Sequence, residues 1–429
     1  MTLFFYRNPL KSTAEIYFDN FQIPADVASR SICNDISIRR GKLLEMIREP
    51  DSSLAGVNEA LQQYVHYFYG FIVSPTDNAK YNSKIRCYAP VKWTESTGES
   101  ADNNTTEFDF LFEFASMLLN VAFWYAKHAA FLSSKDPLHE EPAKECHKSL
   151  RTAMGIINML KDDVISKLNA APKEMTDLHS DILMAYYNQF AGEAQELTTI
   201  QAIQKEHKAS LISALAYETA KFYKSAELSL KPCPEKVVGR WKKYLEFKHN
   251  IFMAYASGYY SKKLLDDNEG GEAIASAKEA KKFYASAQQC EKQYKKAPGN
   301  YISSEIPTVK NLSNLPALFD RFLEKATREN AMIYHKTVPA TMPELQLKAT
   351  LGLVNPIMPE LKFEHCGDWS NAYNGFSDDK LTKYITAKID NEISKEDLKK
   401  EKNMKIMSLN EKPIYPTDRK GGFLSGILG

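Results

Sequence analysis

His139-Glu140 opens the string a helical zinc hydrolase uses, where two histidines one turn apart bind the metal and the glutamate activates water. Position 143 is Ala, however, and the next histidine, His147, stands eight residues beyond His139, so the ligand pair is absent. A nucleophile elbow is missing too, because Ser425 in GGFLSGILG has the wrong glycine spacing. No glycine-rich phosphate loop of either common type occurs. The nine histidines are scattered and read as surface or satisfied core residues, since a catalytic histidine needs a positioned partner. The six cysteines (Cys33, Cys87, Cys146, Cys233, Cys290, Cys366) form no CxxC pair and no Cys/His cluster, and read as reduced, mostly buried thiols. No catalytic residue, metal or cofactor is expected, and the chain reads as non-enzymatic.

One segment offers a different chemistry. In Lys208–Leu228 the residues Leu211, Ile212, Leu215, Ala216, Tyr217, Ala220, Phe222, Tyr223 and Ala226 wrap around more than one helix face. Such a helix is either fully enclosed or gives one face to the core and another to a partner groove. Periodicity leaves both open.

The elements around it are mostly helices. Helical spacing runs from about Ala28 to Gly70, and again in segments near 107–133, 140–169, 174–203, 206–230, 236–266, 271–296 and 314–336. Pro137, Pro172, Pro232, Pro234, Pro298 and Pro307 fall in the gaps, where proline ends helices. The stretch Phe114 to Ala126 is the most apolar, but Glu113 and Lys127 bracket it short of the roughly 20 residues a spanning helix needs. It reads as a buried helix. Residues 241–296 read as a helical hairpin: an aromatic-rich helix, a turn at Gly270-Gly271, then a helix whose Ala273, Ala277, Ala280, Tyr284 and Ala287 make a narrow face for close packing. That alternation is like a tetratricopeptide (TPR) pair without its consensus. The first thirty residues carry alternating aromatic segments (LFFYR, AEIYFDNFQI), and a further strand is expected near Lys84 to Trp93, giving a small antiparallel sheet.

The chain has 429 residues, 44% apolar and 25% charged, with 55 basic against 54 acidic residues and a net charge of +1. It can bury a sizeable core, and it has no charge excess to attract nucleic acid. Sequons stand at Asn103, Asn104 and Asn311, but MTLFFYRNPLKS lacks a secretory signal, so a cytoplasmic, unglycosylated protein is expected. After Pro359 the composition turns Lys/Asp/Glu-rich, and compactness is expected to end near there. The expected division is a domain over 1–365 and a charged, partly disordered tail over 366–429. A helix at 378–402 with the apolar line Leu381, Ile385, Ile389, Ile393 is marginal in water.

The stretch AGEAQELTTIQAIQKEHKASLISALAYETAKFY (191–223) resembles the part of Bro-one domains that carries their ESCRT-III docking helix. The opening FFYRNPLKST, LNVAFWYAKHAAFL with AKECHKSLRTAMGI, and ENAMIYHKTVPATMPELQLKATLGLVNPI resemble the same family in the same order, up to about residue 358. The resemblance implies a mainly α, boomerang-shaped helical array with a TPR-like middle and a small N-terminal sheet. It implies an adaptor whose concave face binds the C-terminal amphipathic helix of an ESCRT-III subunit, a charged multivesicular body protein, in endosomal sorting or membrane remodelling and repair. By position the partner contacts fall on Leu211 and Leu215, with Leu351 a third apolar position and Glu140 an acidic one at the rim. Where one family member has an aromatic contact just after its QEV, this chain has Thr198 after QEL, so the groove should be shallower there.

Leu211 and Leu215 are therefore expected to be partly exposed. The prenylated C-a-a-X box of one member is not matched by Gly426-Ile427-Leu428-Gly429, and Thr2 does not fit N-myristoylation. A monomer is expected, cytoplasmic, reaching endosomal or nuclear-envelope membranes only through partners. The competing reading is a TPR-type scaffold clamping an acidic peptide terminus with convergent Lys and Arg. A cryptic enzyme would need a deep pocket of titratable groups.

Overall fold

In the computed structural model, the described residues are 4–16, 18, 24–76, 81–97, 103–134, 139–299, 314–345, 349, 351–376, 404–407 and 409. The chain begins with β1 (Thr13–Ala14), α1 (Val27–Ile47) and α2 (Leu54–Phe68), followed by β2 (Val91–Thr94) and β3 (Asn104–Glu107). Seven long helices follow: α3 (Phe110–Ser133), α4 (Glu140–Met159), α5 (Ser180–Gln204), α6 (Ala209–Ser229), α7 (Glu235–Asp266), α8 (Gly270–Tyr294) and α9 (Asn314–Glu329). A short α10 (Trp369–Ala372) and β4 (Ile406–Met407) complete the described elements.

The first three helices start where a side chain can satisfy free backbone N–H groups. Asp26 and Ser29 form a reciprocal capping box on α1, Ser53 caps α2, and Asp109 accepts from the Leu111 amide to start α3. Successive helices α3 to α9 pack against their neighbours in chain order. α3 is enclosed on nearly every side, as its unbroken apolar run requires. Its buried ionisable groups find partners: Glu113 accepts from Arg40 and the Trp93 indole, and His128 bonds the Pro50 carbonyl and Glu145. The alanine face of α8 is fully buried against α7.

Three expectations need correction. The segment Phe4–Leu10 is extended and almost entirely buried, but it is no strand. Side chains of α3 and α5 hold it and the residue that follows. Gln189 donates to the Tyr6 carbonyl at 2.9 Å, and Asn120 exchanges two bonds with the Lys11 backbone at 2.8 and 2.9 Å. Aromatic alternation looks the same in a sheet and in a threaded core segment. Second, Gly270-Gly271 is not the turn; the chain reverses at Asn268, which has φ +66°, and both glycines lie in the first turn of α8. A Cβ on Gly271 would stand 2.1 Å from the Thr337 carbonyl oxygen, so this glycine admits the chain that leaves α9. Third, packing continues past residue 365. Trp369 and Phe376 are buried against Phe71, and Gly70 leaves the space that the Trp369 ring fills.

The sheet is antiparallel in the order β3-β2-β1-β4, with Thr13 opposite Trp93 and Val91 to Thr94 opposite Glu107 to Asn104. β3 and β4 were not expected from the sequence. The expected helix at 378–402 lies outside the described residues.

Candidate docking site

Leu211 and Leu215 stand one turn apart on α6. Leu215 belongs to a small cluster with Ala202, Ile212, Ala214 and Ala349, and only 2% of it is exposed. Leu211 is half-buried and packs against the edge of that cluster, as do Ile203 and Tyr259. The expectation that both are partly exposed holds for Leu211 and fails for Leu215.

The reason lies far along the chain. After α9 the described residues 335–345, 349 and 351–361 have no regular structure, and 351–358 return along the helices as a strap. At Gly352 its backbone has φ +77°, and a Cβ there would lie 3.2 Å from Leu215 Cδ2 and 3.5 Å from Thr198 Cγ2. Gly352 therefore roofs Leu215. Around it the extended strap alternates: Val354 faces inward and is buried, whereas Leu351 is 72% exposed and Leu353 also points to solvent.

Polar groups of α4 and α5 fasten the strap. Gln195 donates to the Gly352 carbonyl at 2.9 Å and accepts from the Val354 amide at 3.0 Å, as a neighbouring strand would. Arg151 donates through Nε to the Asn355 carbonyl at 2.6 Å, and its own carbonyl accepts from the Ile357 amide at 2.9 Å. Gly155, on the same helix, has no Cβ to strike the Ile357 carbonyl oxygen, which would stand 2.0 Å away. Met358 follows, again exposed.

Thr198 is half-buried beneath this strap, its hydroxyl 3.4 Å from His147 Nε2. Burial, reinforced by the charge of Arg151, drives the His147 imidazole down to about 4, so it is neutral at ordinary pH. Glu140 begins α4 and is exposed. Glu140, Lys144, His147 and Arg151 share one face at helical spacing, which puts Glu140 about 10 Å along the axis from His147. Lys144 lies 2.9 Å from Glu140 and 2.8 Å from Glu141, and this ammonium holds the Glu140 carboxyl below its usual range.

The fold thus brings Leu215 and Thr198 under Gly352, with Leu351 beside that glycine in the chain and Leu211 at the edge of the Leu215 cluster, and leaves Glu140 at a distance. Sequence reasoning missed His147, Arg151 and Gln195, which carry no motif. Gly155 and Gly352 were the available signals, each a glycine inside an apolar run. Among the described residues no three His, Cys, Asp or Glu side chains converge as a metal site needs, and no helix is long and apolar enough to cross a membrane.

Comparison with known proteins places this geometry in context. The family description "BRO1-like domain" matches residues 45–392. The chain is similar to "BRO1 domain-containing protein BROX" of Danio rerio, 38% identical over 84% of this chain and 87% of that protein. It is also similar to the BROX homolog of Caenorhabditis elegans, 30% identical over the full length of both. Among solved structures it resembles an ALIX BRO1 CHMP4C complex, with TM-score 0.61 and 20% identity over 86% of this chain and 99% of that one.

Proposed function

The chain belongs to the BRO1-like domain family, and from that premise we propose that it is an adaptor holding the C-terminal amphipathic helix of an ESCRT-III subunit, a charged multivesicular body protein, against the strap-lined face of α4, α5 and α6. The observation that carries this reading is a closed apolar floor, the Leu215 cluster under Gly352, with half-buried Leu211 at its edge and Leu351, the residue next to Gly352, left exposed. Apolar side chains kept in water on a rigid surface lose hydration only when a guest covers them. Supporting it, the solved neighbour of the same fold is in complex with CHMP4C.

In this reading the guest lays its apolar stripe across Leu211, Leu351 and Leu353, with Leu215 and Gly352 as the floor beneath. Glu140 meets a basic residue at the guest's far end. No bond is made or broken. A contact this small binds in the micromolar range, about −8 kcal/mol, which suits reversible recruitment of filaments. The protein would work in the cytoplasm and reach endosomal or nuclear-envelope membranes through its partner. A clamp for an acidic peptide terminus is the weaker reading, because Lys144 is engaged by Glu140 and Glu141 and Arg151 by the strap.

Calorimetry with ESCRT-III C-terminal peptides tests the proposal. Leu211→Asp should abolish binding and leave the melting temperature nearly unchanged, since the carboxylate stays hydrated until a guest covers it. Unaltered binding would sink the docking mechanism.

A further inference from the structure

β1 would be the outer edge of the sheet if the chain ended its packing at Phe376. It is covered instead by a piece of the tail. Met404 is buried, Ile406 and Met407 pair antiparallel with Ala14 and Thr13, and the Leu409 amide donates to Ser12 Oγ at 3.2 Å. Lys92 Nζ donates to the Met404 carbonyl at 3.4 Å. The sequence around this strand is charged: EDLKKEKN precedes Met-Lys-Ile-Met-Ser-Leu and Glu411-Lys412 comes soon after. Apolar residues are concentrated where the pairing occurs.

The two sides of this contact are unequal. The acceptor side is held in place whether or not the tail is present. Thr13 donates its hydroxyl to the Lys92 carbonyl at 2.9 Å and accepts from Arg40 at 2.6 Å, and Asn120 grips the Lys11 backbone from both directions. Arg40 is in turn fixed by Glu113 at 2.7 Å. Among the described residues, the tail side rests on two ladder pairs, the buried Met404, the partly buried Leu409 and two polar contacts of 3.4 and 3.2 Å. A prepared edge with a short occupant can exchange that occupant, because most of the ordering cost on the acceptor side is already met.

We propose that the outer edge of β1 is a strand-acceptor site whose resting occupant is residues 404–409 of the same chain, acting as a detachable latch. Released, it frees the tail and uncovers the edge for an extended peptide of the same alternating character. The site shares no residue with the docking surface of α4 to α6, so the two can fail separately.

The test uses the full chain and a fluorescent peptide, KNMKIMSLNE, copied from residues 402–411. Met407 stands opposite Thr13, whose backbone faces the latch because Ser12 next to it bonds Thr94 of β2, so Met407→Pro removes the ladder N–H from the latch and leaves the acceptor edge intact. The variant should bind the peptide at least about tenfold more tightly than the unaltered protein, where the tethered tail competes at high effective concentration. Amide exchange across residues 12–14 should quicken in the variant and slow again when peptide is added. Peptide binding that is equal in the two proteins, or absent from both, overturns the proposal, as does unchanged exchange at the edge. Binding of an ESCRT-III peptide should be the same in both proteins, which separates this test from that of the docking surface.

Discussion

Leu211 and Leu215 have the same side chain on the same face of α6, yet their substitutions should part company. Leu215→Ala empties a closed cluster and should lower stability by about 2–5 kcal/mol in denaturant unfolding. Its effect on guest binding should be small in the remaining folded protein, the reverse of Leu211→Asp. His147 gives a pH signature. Its folded-state value of about 4 lies below the ordinary 6.5, so between those limits the unfolded chain binds the extra proton. Stability therefore rises with pH through that window and is lost as pH falls from about 6.5 towards 4. Urea midpoints at several pH values should show a shallower acid loss in His147→Gln than in the unaltered protein. Identical slopes would mean that this imidazole is not held neutral by the strap. Periodicity put both leucines on one face, but roofing by Gly352, which separates them, has no local signature.

At the scale of elements, the strap has no regular structure, and its position depends on side chains of other elements. Gln195 acts as its neighbouring strand, so Gln195→Ala leaves the Val354 amide and the Gly352 carbonyl without that partner. A loss of about 1–3 kcal/mol is expected, with faster amide exchange at Val354 and weaker guest binding because Leu351 is no longer held over α6. Unchanged exchange at Val354 would show that Arg151 and Gly155 suffice to fasten the strap. The helices themselves were legible: the apolar period located each of α3 to α9, and prolines marked the gaps. Ends were less so. The segment read as helix to 169 leaves the α-helix at Met159 for a π turn over Leu160–Val164, and α5 begins at Ser180 rather than 174. There the chain makes tight turns, with Met175 at φ +64° and its carbonyl bonded by the Thr97 hydroxyl, a long-range contact that propensity does not encode.

For the whole molecule, the question is how it meets a membrane. No described helix is long and apolar enough to cross one. The Lys-rich stretch around Leu381 to Ile393 interleaves its four aliphatic anchors with Asp390, Glu392, Glu396 and Asp397, so it buries little apolar area and is partly repelled by anionic lipid. The purified protein should stay in the supernatant in liposome flotation at physiological salt and float only when an ESCRT-III partner is already on the membrane. Efficient flotation of the protein alone, lost on truncation before Asp378, would make the tail an anchor. By itself the sequence determined what repeats locally: helices from their apolar period, the enclosed α3 from an apolar run with no polar face, the small-residue face of α8 from its alanine spacing. Those features depend on neighbours within a turn or two, where geometry is set by the backbone. Only the tertiary structure decided which leucine is floor and which is surface, that Phe4–Leu10 threads the core, and that Ile406–Met407 pairs with β1 at the edge of the sheet. Each of these depends on contacts between distant segments, such as Gln195 and Gly352 at 157 residues' separation, and the hydrogen bonds that fix them leave no periodic trace in the chain.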